Sequence, residues 1–227
     1  MRTKTLLIAA AALVAGVISS EAQTVYSVNI AGYTTSIPTN GAFVLLSNPL
    51  DNGTNTLKSL FPGINGGTSV QIWNGSGFDV YQFALGSWAN VANNTNADNL
   101  LIPPGEGFFM LLGGSKKYTN TFSGNVVGPS GSSVTNIIQK GLQLEGALVP
   151  FADYVTNTAT VNLIVKGGTT IQLWDPVGQQ FVLYQFALGA WGNINTGLPQ
   201  VPQIAPGQGF FVQPNGSNTN IWVQASP

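Results

Sequence analysis

The 227-residue chain contains no cysteine and no histidine. These absences remove the thiol nucleophile, the usual catalytic base at neutral pH and the most common ligands of zinc, copper and haem iron. The lack of cysteine also excludes disulfides, so packing and hydrogen bonds alone must hold the fold together. The sequence therefore predicts a protein without a cofactor and without a transition-metal centre.

Charged residues are also scarce, at 7% of the chain, and the formal net charge is −1. Arg2 is the only arginine, and the sequence has no basic stripe of the kind that binds phosphate backbones. We therefore expect no nucleic-acid partner. Low charge does not indicate disorder here, because 44% of the residues are hydrophobic and 10% are aromatic, which is enough to build a core.

The first residues have the pattern of a secretory signal peptide. Arg2 and Lys4 precede an apolar run from Leu6 to Ile18, which is too short to span a bilayer. Residues 20–22 (SEA) end in the small residues that a signal peptidase prefers. We therefore expect export through Sec, cleavage after Ala22 and a mature chain that begins at Gln23. No second apolar span follows. The sequence thus predicts a periplasmic or extracellular protein without a membrane span in its mature form.

Three motifs occur in the same order in both halves of the chain. They are GGTSVQIW and GGTTIQLW (residues 66–73 and 167–174), YQFALGSW and YQFALGAW (81–88 and 184–191), and IPPGEGFF and IAPGQGFF (102–109 and 204–211). Self-similarity of this kind predicts an internal duplication with small insertions between the motifs.

Strand signals dominate between and within these motifs. Short runs of β-branched and aromatic residues are bounded by Gly, Pro or Asn, and NGSG at residues 74–77 predicts a hairpin turn between two such runs. One stretch differs: Asn55 can cap a helical turn through residues 56–61, and Pro62 with Gly63 ends it.

These patterns together predict an all-β protein of two similar small β-sandwich or open-barrel units. The predicted boundaries are residues 1–22 for the signal peptide, 23–127 for the first unit and 128–227 for the second. The stretch that closes the first unit also leads into the second. We therefore expect the first strand, Val25 to Ile30, to pair with the last strand, Asn220 to Gln224.

Carboxylates are the remaining candidates for catalysis, because a pair of acids can hydrolyse glycosides. Asp79, Asp98 and Glu106 are the candidates in the first unit. Asp79 aligns with Val182, and Glu106 aligns with Gln208, so a site built from them would exist in one unit only. We interpret these acids as residues of solvated turns and strand edges, which makes a glycosidase the least favoured function.

Three loops resemble ligand sites but have a simpler explanation as turns. PGEG at residues 104–107 and PGQG at 206–209 precede strand-like runs, whereas a phosphate loop needs a helix N-terminus after it. DNGTN at residues 51–55 places oxygen atoms at alternate positions, as a calcium loop does. No downstream glutamate completes that loop, and the second unit lacks the run. We predict a polar turn there.

Paired tryptophans are the better candidates for binding. Trp73 and Trp174 end apolar strands, so we expect them in the core. Trp88 and Trp191 come shortly after a glycine and lead into Asn-rich loops, where exposed indoles could stack on sugar rings. The same indoles could instead be the large residues of a small core, and the sequence leaves both alternatives open.

A further pattern is carried by residues 43–50 (FVLLSNPL), 72–75 (IWNG) and 102–109 (IPPGEGFF). It resembles a recurrent module of exported proteins from environmental Gram-negative bacteria, which is often duplicated. The resemblance covers almost all of the chain after the signal peptide, and the second unit departs from it at residues 142–147 (LQLEGA), which lack the Asn-Pro pair. It implies export and a duplicated all-β architecture, but no assigned activity and no catalytic residues.

We therefore expect an exported, non-catalytic structural or adhesive β-protein whose partners are polysaccharides or other exported proteins. The alternative is a carbohydrate-binding protein that uses Trp88 and Trp191. Exposure of these two indoles distinguishes the alternatives, because a buried pair cannot form a sugar platform.

Overall fold

A computed structural model of the protein describes residues 30–37, 41–216 and 219–226. Within these ranges the chain is almost entirely β, with one short helix, and this confirms the predicted all-β class. The predicted signal peptide and its cleavage after Ala22 lie outside the described residues. No helix in the described ranges is long and apolar enough to cross a bilayer.

We number the elements in chain order and call the elements before residue 126 the first unit and those after it the second unit. The first unit contains β1 (Ile30–Ile37), β2 (Phe43–Ser47), α1 (Leu57–Leu60), β3 (Ser69–Trp73), β4 (Phe78–Ala84), β5 (Ser87–Asn90), β6 (Gly107–Leu111) and β7 (Tyr118–Asn125). The second unit contains β8 (Ser133–Ile138), β9 (Gln143–Gly146), β10 (Asp153–Tyr154), β11 (Thr156–Asn157), β12 (Val161–Ile164), β13 (Thr170–Asp175), β14 (Gln180–Ala187), β15 (Ala190–Asn193), β16 (Leu198–Pro199), β17 (Gln203–Ile204), β18 (Gly209–Gln213) and β19 (Asn220–Ala225).

The largest sheet of each unit follows the same order of strands. In the first unit the order is β2-β6-β3-β4-β5, and in the second it is β9-β18-β13-β14-β15-β16. The central pairings also correspond, with Val70 opposite Met110 in one sheet and Ile171 opposite Val212 in the other. The repeated motifs therefore occupy corresponding strands, and no sheet among the described strands closes into a barrel. An origin by duplication stays a prediction of the sequence.

A smaller sheet accompanies the large sheet in each unit. β1 pairs with β7 from Ile30 opposite Asn125 to Ile37 opposite Tyr118, and β19 lies between β8 and β12. The first strand was predicted to pair with the last. Ile30 is the one residue of that predicted strand that the structure describes, and it pairs with Asn125. The prediction is therefore wrong at Ile30. β19 already has a neighbour on each edge, so the last strand pairs within its own unit.

The helix α1 lies where a helical turn was predicted. Its cap is Thr56 rather than Asn55: the Thr56 hydroxyl accepts a hydrogen bond from the Ser59 N–H at 3.2 Å, and the Ser59 hydroxyl accepts one from the Thr56 N–H at 2.9 Å. Leu60 and Phe61 are both buried and attach this turn to the core of the first unit.

Side chains at alternate positions of the central strands face two different apolar clusters. Phe108 and Met110 of β6 point into the core of the first unit, whereas Phe109 belongs to a separate cluster between the two large sheets. In β18, Phe210 faces the core of the second unit and Phe211 faces the same separate cluster. Strand alternation therefore gives each large sheet an inner face and a face toward the other unit.

Candidate functional site

Both predicted sugar-stacking tryptophans are buried in the cores. Trp88 is 0% exposed and Trp191 is 3% exposed. Trp88 lies directly opposite Phe83 across the hairpin, and cross-strand partners share one face of a sheet. That face is the core, where the two ring centroids are 5.4 Å apart. Of the two alternatives that the sequence left open for Trp88 and Trp191, the exposed sugar platform is therefore wrong, because hairpin register turns both indoles inward.

Trp73 and Trp174 lie at the contact between the units instead of inside a core. The Trp73 indole N–H donates to the Leu142 carbonyl at 2.9 Å, and the Trp174 indole N–H donates to the Phe43 carbonyl at 2.9 Å. Each indole is only partly buried. The expectation that both tryptophans lie in the core is thus wrong. Each of them instead donates a hydrogen bond from its own unit to the other.

We call this contact the junction. Its rings meet edge-on: Phe109 and Trp174 have centroids 5.2 Å apart, and Trp73 and Phe211 have centroids 5.6 Å apart. Its apolar members, from both units, are Phe43, Leu45, Trp73, Phe109, Leu142, Leu144, Trp174, Phe181 and Phe211.

The junction has a neutral end, formed by Leu46, Ser47, Gly207 and Gln208. Leu46 of β2 lies opposite Gln208, which precedes β18. The Ser47 N–H donates to the Gly207 carbonyl at 2.8 Å. A Cβ on Gly209 would lie 2.5 Å from the Leu46 carbonyl oxygen, so only glycine allows the two backbones to come this close.

The other end, which we call the acidic end, has the same backbone arrangement and different side chains. Glu145 of β9 lies opposite Glu106, which precedes β6, and the Gly146 N–H donates to the Gly105 carbonyl at 2.8 Å. Glu106 and Glu145 thus occupy the places that Gln208 and Leu46 occupy at the neutral end. Two carboxyl groups stand where the corresponding end has none.

Burial perturbs both carboxyls of the acidic end, and the charge of Glu106 also acts on Glu145. Burial raises the pKa of Glu106 above its usual value. Burial and the nearby charge of Glu106 raise the pKa of Glu145 to about 7, against a hydrogen bond from the Asn136 amide at 2.9 Å, which favours the charged form. The pair lines a pocket of about 320 Å³ together with Trp73 and Lys140. Glu106 was a candidate from the sequence and Glu145 was not, because nothing in a one-dimensional pattern brings the two together.

The other acids considered as catalytic candidates form structural hydrogen bonds. Asp98 accepts hydrogen bonds from the Trp88 N–H at 2.8 Å and from the Lys58 ammonium at 2.9 Å, and these bonds lower its pKa. Asp79 accepts a bond from the Asn74 amide in the β3–β4 turn. No group of His, Cys, Asp or Glu within the described ranges could hold a metal ion.

The DNGTN loop is a polar turn with a counterpart in the second unit. Asp51 accepts hydrogen bonds from the Gly53 N–H at 2.8 Å and the Asn55 amide at 2.6 Å, and these bonds lower its pKa. Asp153 accepts a bond from the Asn157 amide, also at 2.6 Å. The second unit thus lacks the DNGTN run, as expected, but has a corresponding Asp–Asn hydrogen bond. The residues between the Asp and the Asn differ, which concealed the correspondence.

Two fully exposed leucines stand at the ends of corresponding hairpins, and we call them the leucine tips. Leu85 and Leu188 have relative exposures of 105% and 106%. Both have a φ of 52°, and Gly86 and Gly189 follow them with φ of 86° and 83°. Positive φ at both central residues is typical of a type I′ turn, where Asn-Gly is the usual pair. These turns were not predicted from the sequence, although the Leu-Gly pair occurs in both copies of the YQFALG motif.

A shallow apolar groove of about 480 Å³ lies beside the second tip. Leu188, Ile194 and Leu198 line it, and the last two are 50% and 63% exposed. None of its lining residues is charged. The second unit therefore presents a continuous uncharged apolar surface around its tip.

No protein-family model, curated protein or solved structure matches this chain. The resemblance to a module of exported proteins stays a prediction for that reason.

Proposed function

We propose that the protein is an exported, non-catalytic structural or adhesive protein whose leucine tips bind an apolar surface of another exported protein. The observation that carries the proposal is the full exposure of Leu85 and Leu188 at positive φ. A left-handed conformation costs a residue with a Cβ about 1–2 kcal/mol, and an exposed leucine gains no burial to offset it. A contact outside the chain supplies the missing reason for leucine at both places.

The size of the available contact suits adhesion. Complete burial of one leucine side chain contributes about 1.5–3 kcal/mol, so each tip alone supports only weak binding. Two tips on one molecule can engage the same surface together, and linked weak contacts multiply their effect. Such binding is cumulative and reversible.

The chemistry around the tips selects the partner. Residues 84–87 (ALGS) and 187–190 (ALGA) contain no charged side chain, and the groove beside Leu188 has none either. A polysaccharide, which presents mostly hydroxyl groups, fits such a surface less well than an apolar protein face. The buried indoles of Trp88 and Trp191 also leave the carbohydrate-binding alternative without its platform.

The test measures adsorption of the mature protein to a methyl-terminated monolayer with a quartz crystal microbalance. Asparagine tolerates positive φ better than leucine does, so Leu85→Asn and Leu188→Asn should retain the fold, with unchanged or slightly higher stability in urea. We expect each single variant to lose about tenfold in affinity and the double variant to lose more than either, because each lost contact is worth about 1.4 kcal/mol or more.

Val177 provides the matched control, because it is 92% exposed in a different hairpin turn. Val177→Asn removes a similar exposed aliphatic group away from the tips and should adsorb like the wild type. Equal losses in Val177→Asn and in the double variant would mean that general surface hydrophobicity drives adsorption. Wild-type adsorption by the double variant would contradict the proposal directly.

Export is the second part of the proposal and has its own test. The apolar run from Leu6 to Ile18 and the small residues at Ala22 support processing by a signal peptidase. We expect N-terminal sequencing of the periplasmic or secreted fraction to find Gln23 as the first residue. Recovery of an intact Met1 form in the cytoplasm would refute export and leave the adhesion test unaffected.

A further inference from the structure

We infer that the acidic end of the junction is a proton-sensitive clasp, which holds the two units together while Glu106 and Glu145 keep a proton between them and loosens when both carboxyls are ionised. This inference is independent of the leucine tips. It depends on the geometry of the junction.

The first step is the register. Glu106 and Glu145 are direct partners in an antiparallel bridge, and the Cβ atoms of such partners lie about 4.5–5.5 Å apart on the same face. Like charges directly opposite each other are destabilising in sheets. The register therefore forces the two carboxyl groups to be neighbours wherever the junction is closed.

The second step is the set of groups that face the pair. Asn136 on β8 donates to Glu145, and Trp73 at the end of β3 and Lys140 in the β8–β9 turn line the same pocket. Lys140 is the one cation of that lining, and in the described part of the chain neither glutamate forms an ion pair. The two acids are thus the only carboxyl groups of that lining.

The third step is a comparison within the molecule. At the neutral end the same backbone contact is made with Leu46 and Gln208, and the hydrogen bond across it has the same length, 2.8 Å, as at the acidic end. The junction therefore closes without carboxyl groups. Two opposed acids add a cost that the fold does not require, and that cost depends on pH.

The direction of the pH effect follows from the sign of the shifts. The folded state holds the Glu145 carboxyl at a pKa of about 7, above its usual value of 4.5, so between these pH values it binds more protons than the unfolded state does. The contribution of Glu145 to stability is therefore greatest below about pH 4.5, falls as the pH rises toward 7, and levels off above that. The junction should be tight at mildly acidic pH and looser at neutral pH.

Amide hydrogen exchange of the full mature chain, followed by NMR, tests the clasp. The Gly146 N–H reports on the acidic end and the Ser47 N–H on the neutral end, since each bonds a carbonyl of the other unit. We expect the protection factor of Gly146, divided by that of Ser47, to fall at least about tenfold from pH 5 to pH 8, which corresponds to one pKa unit of coupling. Each protection factor already corrects for the intrinsic pH dependence of exchange, and the ratio removes any change in stability that both ends share.

The double variant Glu106→Gln/Glu145→Leu copies the neutral end and should keep this ratio constant with pH. If the double variant does not fold, Glu145→Gln serves the same purpose, because it removes the carboxyl group whose pKa is raised to about 7. Asp79→Asn removes a carboxyl group elsewhere and should retain the wild-type response. A wild-type ratio that does not change with pH, or a response that persists in both glutamate variants, would overturn the inference.

Discussion

At the scale of single residues, the five tryptophans divide by what their indole nitrogens do. The indole N–H groups of Trp88, Trp191 and Trp222 are buried and have no hydrogen-bond partner among the described residues. Those of Trp73 and Trp174 donate across the junction. The first group contributes packing alone, and the second contributes packing together with a directional contact between the units.

This division predicts how Trp→Phe substitutions change stability. Trp88→Phe removes buried volume but leaves no polar group unpaired, so we expect a cost of about 1–2 kcal/mol. Trp73→Phe removes less buried surface, yet it also removes the bond to the Leu142 carbonyl, worth about 0.5–1.5 kcal/mol. Urea unfolding should therefore give similar costs for the two variants despite the difference in burial.

Trp174→Phe is the matched control for that comparison. The Phe43 carbonyl accepts hydrogen bonds from both Trp174 and the Gln179 amide, the latter at 3.0 Å. It therefore keeps a donor when the indole is removed, and Trp174→Phe should cost less than Trp73→Phe. A cost near zero for Trp73→Phe would mean that its hydrogen bond contributes nothing to the junction.

At the scale of elements, the sequence correctly predicted those elements whose structure depends on residues close together in the chain. The predicted turn at residues 74–77 is present, with the Asn74 N–H donating to the Gly77 carbonyl at 3.0 Å. The short helix falls within residues 56–61, where it was predicted. Strands and turns of this kind are specified by neighbours within a few residues, and a single sequence records those neighbours.

The errors arose where an element's partner is distant in the chain. The direction of Trp88 depends on its register opposite Phe83 across a hairpin, and an Asn-rich loop nearby gave a misleading signal of exposure. The partner of Glu106 is Glu145 in the other unit, which no comparison of corresponding positions could find. The pairing of β19 likewise depends on which strands reach its edges.

At the scale of the whole molecule, the protein has two main cores, and the apolar layer of the junction lies between the two large sheets. Phe61, Trp88 and Phe108 lie in the first core, and Trp191 and Phe210 lie in the second. The junction is a third cluster, and Val149 and Phe151 of the second unit also pack into the first core. A chain of about 100 residues is large enough to fold alone, so the junction and these two residues together govern whether the units unfold together.

This arrangement predicts that the units can be uncoupled without being unfolded. Phe109 and Phe211 face the junction, while their neighbours in β6 and β18 face the two cores. The double variant Phe109→Ala/Phe211→Ala should therefore loosen the junction and leave both cores in place. We expect the wild type at about pH 5 to unfold in one calorimetric transition, with equal van 't Hoff and calorimetric enthalpies, and the double variant to unfold in two.

The matched control is Phe108→Ala, which lies next to Phe109 in β6 but faces the core of the first unit. It should lower the free energy of unfolding by about 3–5 kcal/mol. Because the junction stays intact, we expect a single transition at a lower temperature. If the double variant instead lost all structure in a single transition, the two units would share one cooperative core. The junction would then be part of that core, and a clasp at its acidic end would govern the folding of the entire chain.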